Sequence, residues 1–181
     1  YDLASLTKPL STATLALLAL EEGKLTLETP MTRFFPDAKH LQGVLVKHLL
    51  THTAGLPAWR ALYKNADTRE AVLQAVLNIP RTRPPAQGYT YSDLGYILMG
   101  AILEQVYEQS LAELFRAKIA EPLGLQSTAY CPPAEWRERI APTAHSESRP
   151  NAILRGEVHD ENAHALGGVA GHAGLFGTLD D

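Results

Sequence analysis

Up to Gly124 the apolar residues recur at helical intervals, and each run is closed by a glycine or a proline. Beyond it, Pro132, Pro133, Pro142 and Pro150 break every run before a period develops. This division predicts a helical body followed by a long loop with short extended pieces. No internal repeat or low-complexity tract overrides it. With 181 residues, 45% of them hydrophobic, the chain can bury one sizeable core but not two. It reads as a single partial domain in three stretches: 1–23, 24–130 and 131–181.

Leu10, Leu15, Leu17, Leu18 and Ala19 mark a helix from Leu6 to about Glu22, ended by Gly23. Pro9 is tolerated only if that helix begins near Ser5, yet it also biases Lys8 away from helical angles. Residues 24–35 read as an irregular connection. Val44 to His52 reads as a short helix, with Gly55 near its C-terminal cap and Pro57 beyond. Asp67 and Glu70 have capping-box spacing before Val72, Leu73, Val76 and Leu77, and Pro80 closes that run. Ser92 or Asp93 caps a helix carrying Ile97, Leu98, Ala101, Ile102 and Val106. Ser110 with Glu113 starts another, expected to end before Pro122. The glycines from Gly167 to Gly174 suit a backbone that approaches something closely.

The formal net charge is −4, from 16 basic and 20 acidic residues that are scattered rather than clustered. No basic stripe exists to track phosphates, so nucleic acid is not expected as a partner. Cys131 is the single cysteine and reads as a packing residue. No apolar run approaches the ~20 residues of a membrane span. No leader is visible, which places any targeting segment upstream.

Ser5-Leu6-Thr7-Lys8 has the spacing S-x-x-K. On a helix, residues i and i+3 share a face, so the amine can reach the hydroxyl. A serine alcohol is a poor nucleophile until a neighbour takes its proton, and a place in the first helical turn favours developing negative charge. The tetrapeptide alone is uninformative, since roughly one match is expected by chance in a chain this long. His159, Asp160, His164 and His172 are metal-ligand types without the tight spacing of a zinc motif, so no metal or cofactor is expected. His48 and His52, four apart on a short helix, read as structural histidines.

Further segments change the reading of Ser5. Tyr91-Ser92-Asp93-Leu94-Gly95-Tyr96 resembles the Y-x-N signature of class C β-lactamases, low-molecular-weight penicillin-binding proteins and related serine esterases. The segments 48–57 (HLLTHTAGLP), 121–125 (EPLGL), 158–163 (VHDENA) and 168–176 (GVAGHAGLF) are similar to segments of the same family, in the same order. The resemblance covers the whole chain. It implies a mostly α chain: the helical portion plus the active-site helix of an α+β β-lactamase/transpeptidase-like fold, with most of the antiparallel sheet missing.

The resemblance also implies roles. Ser5 forms an acyl-enzyme, while Lys8 and the Tyr91 phenol share proton removal and delivery. An ordinary phenol near 10 and an ammonium near 10.4 are both protonated at neutral pH, so one of the two must be shifted. Asp93 stands where the family has Asn. A carboxylate accepts but cannot donate, so it is expected to hold Lys8 charged and favour Tyr91 as base; it also reads as a simple helix N-cap. His159 and His172 are expected to shape the loop rim by hydrogen bonding.

Three functions follow: a serine acyl hydrolase for esters, D-amino-acid peptides or β-lactams; a non-catalytic penicillin-recognition or interaction module; and, least favoured, a metal-dependent hydrolase. The family's third motif, K-T-G or H-x-G on a strand that follows these segments, is expected to lie outside the 181 residues, which alone are expected to turn over poorly. Missing sheet is expected to leave apolar helix faces uncovered, including that of Leu15 and Leu18, and to invite self-association or a complementing chain. The expected substrate is a small molecule or peptidoglycan-like. The resemblance implies a bacterial, periplasmic or secreted protein.

Overall fold

The computed structural model describes residues 1–66, 68–146, 149 and 153–181. The chain opens with a 3-10 turn, Ala4–Leu6, that runs into a π-helical stretch, Lys8–Ala13, and then into α1, Thr14–Glu21. Gly23 ends this first helix at φ +70, as its position predicts. Pro9 lies inside the wide π turn, and Lys8 before it belongs to the same turn despite the expected bias. The extra residue of a π turn absorbs the proline that an α-helical interior would reject.

α2, Val46–Leu50, is shorter than its sequence implied. Gly55 is not its cap: Thr51 ends the helix, and His52 itself takes the left-handed conformation at φ +58. α3, Arg69–Leu77, is capped by Thr68, whose Oγ1 accepts the Ala71 N–H at 3.2 Å. The expected cap Asp67 lies outside the described residues.

α4, Asp93–Tyr107, is the centre of the molecule. Ser92 caps it, and Leu94 to Leu103 are buried without interruption, so the helix is apolar all round and packed on every side. Leu98, Met99, Ile102 and Leu103 are wholly enclosed. Each such side chain contributes about 1.5–3 kcal/mol of transfer free energy. α2, α3, the first helix and α5, Leu111–Phe115, all pack against α4. Ser110 and Glu113 form the capping box that their spacing predicts. Pro122 does not stop this helix: a π stretch over Arg116–Ala120 carries it into α6, Glu121–Leu123, before Gly124 turns at φ +71.

The tail holds more structure than its prolines implied. β1, Ala129–Tyr130, pairs antiparallel with β2, Leu175–Phe176, and residues 134–139 form a 3-10 helix. Between them α7, Glu161–Ala165, is capped by Asp160, which accepts the Ala163 N–H at 2.7 Å. On its other side β2 meets the chain start, with Leu3 N–H donating to Leu175 O at 2.9 Å and Tyr1 and Gly177 exchanging backbone bonds. The Arg69 guanidinium pairs with Glu104 and donates to the carbonyls of Leu166 and Val169, which ties α3 to the glycine-rich segment.

The expected bare apolar face is corrected. Leu15 is wholly buried within this chain and Leu18 half-buried. The exposed leucines of the first helix are Leu6, Leu10 and Leu17. Among the described residues no helix is long and apolar enough to cross a membrane.

Candidate active site

Ser5 stands in the opening 3-10 turn, entered through Ala4 at the unusual φ of +46. Asp2 braces that entry, its Oδ1 accepting the Ala4 N–H and its Oδ2 the His159 N–H, both at 2.8 Å. One turn on, Lys8 Nζ donates to Ser5 Oγ at 2.8 Å and to the His172 carbonyl at 3.2 Å. Asp93 Oδ1 lies 2.6 Å from the same nitrogen, off the line of a well-formed hydrogen bond. Lys8 is only 2% exposed. An unpaired ammonium at such a depth would cost several kcal/mol; here a carboxylate and two neutral oxygens surround it.

Two readings of Asp93 competed, and the structure separates them. Ser92 Oγ accepts the Gly95 N–H at 3.3 Å and donates to Pro57 O at 2.7 Å, so the cap of α4 is Ser92. The Asp93 carboxylate is thereby left for Lys8, while its N–H donates to Ala58 O at 2.9 Å. The Tyr91 ring faces the cation, with its centroid 4.7 Å from Lys8 Nζ. Tyr96 lies beyond it at 5.9 Å; burial, then the neighbouring Tyr91 and Tyr89, pushes the Tyr96 phenol above its ordinary range.

The glycine-rich segment runs along the polar side of the first helix. Thr7 Oγ1 accepts the Leu175 N–H at 3.1 Å, Thr12 Oγ1 donates to Gly171 O at 2.7 Å, and the Tyr130 hydroxyl bonds Ser11 Oγ at 3.0 Å. The close approach needs glycine at both crossing points. A Cβ on Gly171 would fall 2.1 Å from Tyr96 O, and one on Gly100 3.0 Å from Gly171 N.

His172 is not on a rim but 1% exposed, with Nε2 held 2.8 Å from Asp160 Oδ1. Burial pushes the Asp160 carboxyl up, but the His172 hydrogen bond and charge, the Ala163 N–H and the Lys8 charge outweigh it and leave it below the ordinary carboxylate range. His159 contributes through its backbone, donating to Asp2, while the residue is exposed. The structure thus brings Ser5, Lys8, Tyr91, Asp93 and His172 together and leaves the His159 side chain outside.

Sequence reasoning took His52 for a structural histidine on a helix; it lies just beyond α2 and against the site. Its Nδ1 accepts the Ser92 N–H at 3.0 Å, and its ring lies 4.5 Å from that of Tyr91. Burial, then the Lys8 charge, holds this imidazole below its usual range. His48 is structural as read, with Nδ1 accepting the Leu45 N–H at 3.1 Å.

A family model described as Beta-lactamase matches residues 1–181. The chain belongs to the β-lactamase family. Among relatives of this β-lactamase-family chain, a putative D-alanyl-D-alanine carboxypeptidase of Salmonella agona is 31% identical over all of the chain and 48% of its own length. The chain spans about half the length of the curated relatives it matches. Of solved structures, a β-lactamase/D-alanine carboxypeptidase from Yersinia pestis, complexed with citrate, is 25% identical with a TM-score of 0.75, covering 98% of this chain and 50% of that one. D-amino acid amidase from Ochrobactrum anthropi, complexed with L-phenylalanine amide, is 29% identical with a TM-score of 0.62, covering 72% and 37%. These likenesses fit a helical chain with a two-stranded sheet as part of the β-lactamase/transpeptidase fold.

Proposed function

We propose that this chain carries the nucleophile and proton-transfer groups of a serine acyl hydrolase acting on D-amino-acid peptides or related esters. The observation that carries the reading is the buried Lys8 ammonium, 2.8 Å from Ser5 Oγ and 2.6 Å from the Asp93 carboxylate. An amine whose charge is matched by a carboxylate serves as a donor, which leaves proton removal to Tyr91. In the phenolate form that this role requires, Tyr91 takes the Ser5 proton on its oxygen as Oγ bonds to the substrate carbonyl carbon. The carbonyl electrons move onto oxygen, then return as the leaving amine or alcohol departs with the proton. Water hydrolyses the acyl-enzyme and restores Ser5.

The names of the relatives, a putative D-alanyl-D-alanine carboxypeptidase and a D-amino acid amidase, support D-amino-acid chemistry. A β-lactam would acylate the same serine, but rapid release needs an accurately placed water, and among the described residues none is specified for that role. We further infer that the 181 residues alone turn over poorly, most of the antiparallel sheet lying outside them, and that exposed Leu6, Leu10 and Leu17 are taken up by another chain or by more of the same protein. The second reading is a module that never acylates. Intact mass of the full-length protein after a fluorophosphonate and, separately, a penicillin decides between them. A single adduct absent from Ser5→Ala supports the hydrolase, and no adduct from either reagent overturns it.

A further inference from the structure

Tyr91 is 44% exposed, so packing alone does not fix its ring. One residue brackets it. The His52 carbonyl accepts the Thr90 N–H at 3.0 Å, and His52 Nδ1 accepts the Ser92 N–H at 3.0 Å, so the backbone on both sides of Tyr91 is tied to His52. The imidazole also lies on the Tyr91 ring at a centroid distance of 4.5 Å and an interplanar angle of 39°. Tyr96 at 5.0 Å and Tyr89, edge-on at 5.8 Å, also lie against the imidazole. His52 reaches this place through the left-handed turn that ends α2.

From this bracket we infer that His52 is a positioning residue that sets the Tyr91 ring against Lys8. An Nδ1 that accepts the Ser92 N–H through its lone pair carries no proton, so the neutral ring has its proton on Nε2. Protonating Nδ1 would turn an acceptor into a donor facing a donor, beside the Lys8 charge. The inference rests on the role proposed for Tyr91, and its test separates the two.

A residue needed only for the left-handed turn would be replaced best by glycine. His52→Gly keeps that turn but removes the Nδ1 acceptor and the ring; His52→Asn tolerates the turn and offers an amide oxygen near the Nδ1 position. In the full-length protein, His52→Gly is expected to lower the acylation rate about 10–100-fold with KM little changed, from loss of one hydrogen bond and one ring contact. His52→Asn is expected to recover part of that loss. In a Tyr91→Phe background, His52→Gly is expected to cost almost nothing further. Equal losses in both backgrounds, or a wild-type rate in His52→Gly, would overturn the inference. If Tyr91→Phe itself acylates normally, the role of Tyr91 has failed instead. The amide resonance of Ser92, in protein with isotope-labelled serine, then decides: it should follow His52 titration and shift in His52→Gly, and no change in either overturns the bracket.

Discussion

Residues 94–103 of α4 and the segment 170–177 are both buried throughout, but opposite means keep them there. In α4 the backbone satisfies itself and apolar side chains fill the surroundings. In the glycine-rich segment the backbone bonds the side chains of other elements: Thr7, Lys8 and Thr12 each take one of its polar groups. The helix therefore tolerates exchange of one apolar group for another, whereas the segment depends on individual partners. The two cross at Gly100 and Gly171, one residue before His172, whose carbonyl accepts from Lys8.

The comparison is tested most severely by Gly171→Ala. The new methyl meets backbone, Tyr96 O at 2.1 Å, and neither chain can yield cheaply. Loss of more than about 4 kcal/mol is expected, read as insoluble expression or a collapsed urea midpoint; a variant of near-normal stability would show that the crossing is soft. Leu98→Ala in the helix should cost about 2–5 kcal/mol by the same measurement, through the cavity it leaves. If Leu98→Ala proves the worse of the two, the ranking of the regions is reversed.

Asp160→Ala ranks third, at about 1.5–3 kcal/mol, the range for a hydrogen bond to a charged group. Because folding lowers the Asp160 value, its contribution is fully present above the ordinary carboxylate value of about 3.9 and fades as pH falls through the lowered one. Wild type and Asp160→Ala should therefore differ most near neutrality and converge in acid. A gap that widens in acid would contradict the assignment. Ser92→Ala is expected to be mildest, about 1 kcal/mol of thermal stability for a lost N-cap. A much larger effect would mean that Ser92 serves the site more than the helix.

What the sequence disclosed divides along the same line. Ser92, Ser110 with Glu113, and Gly23 act within a few residues of themselves, so spacing alone placed the helix ends. Ser5 and Lys8, uninformative by their spacing alone, became legible together with Tyr91 and Asp93 through the family segments that follow them in order. The contact of Lys8 with His172 spans 164 residues, and no local period encodes it. α7 is five residues long, too short to show a repeat, although Asp160 before Glu161 was a usable start signal. His52 was hidden because its role comes from a left-handed turn that its own residue type does not announce.

The first helix shows a last regularity. From Thr7 to Ala19 its buried positions fall in pairs, Thr7–Lys8, Ser11–Thr12 and Leu15–Ala16, before Ala19: a count of four, where an α-helix turns every 3.6 residues. On an ordinary coil that stripe would drift sideways by roughly 40° at each repeat. The loosened winding at Lys8–Ala13 pulls it back toward a straight keel, polar at the bow and apolar at the stern. Removing one residue between Pro9 and Ala13 would leave the Ser5–Lys8 spacing untouched and still swing the pair off the keel, so the chemistry at one end is steered by winding beyond it.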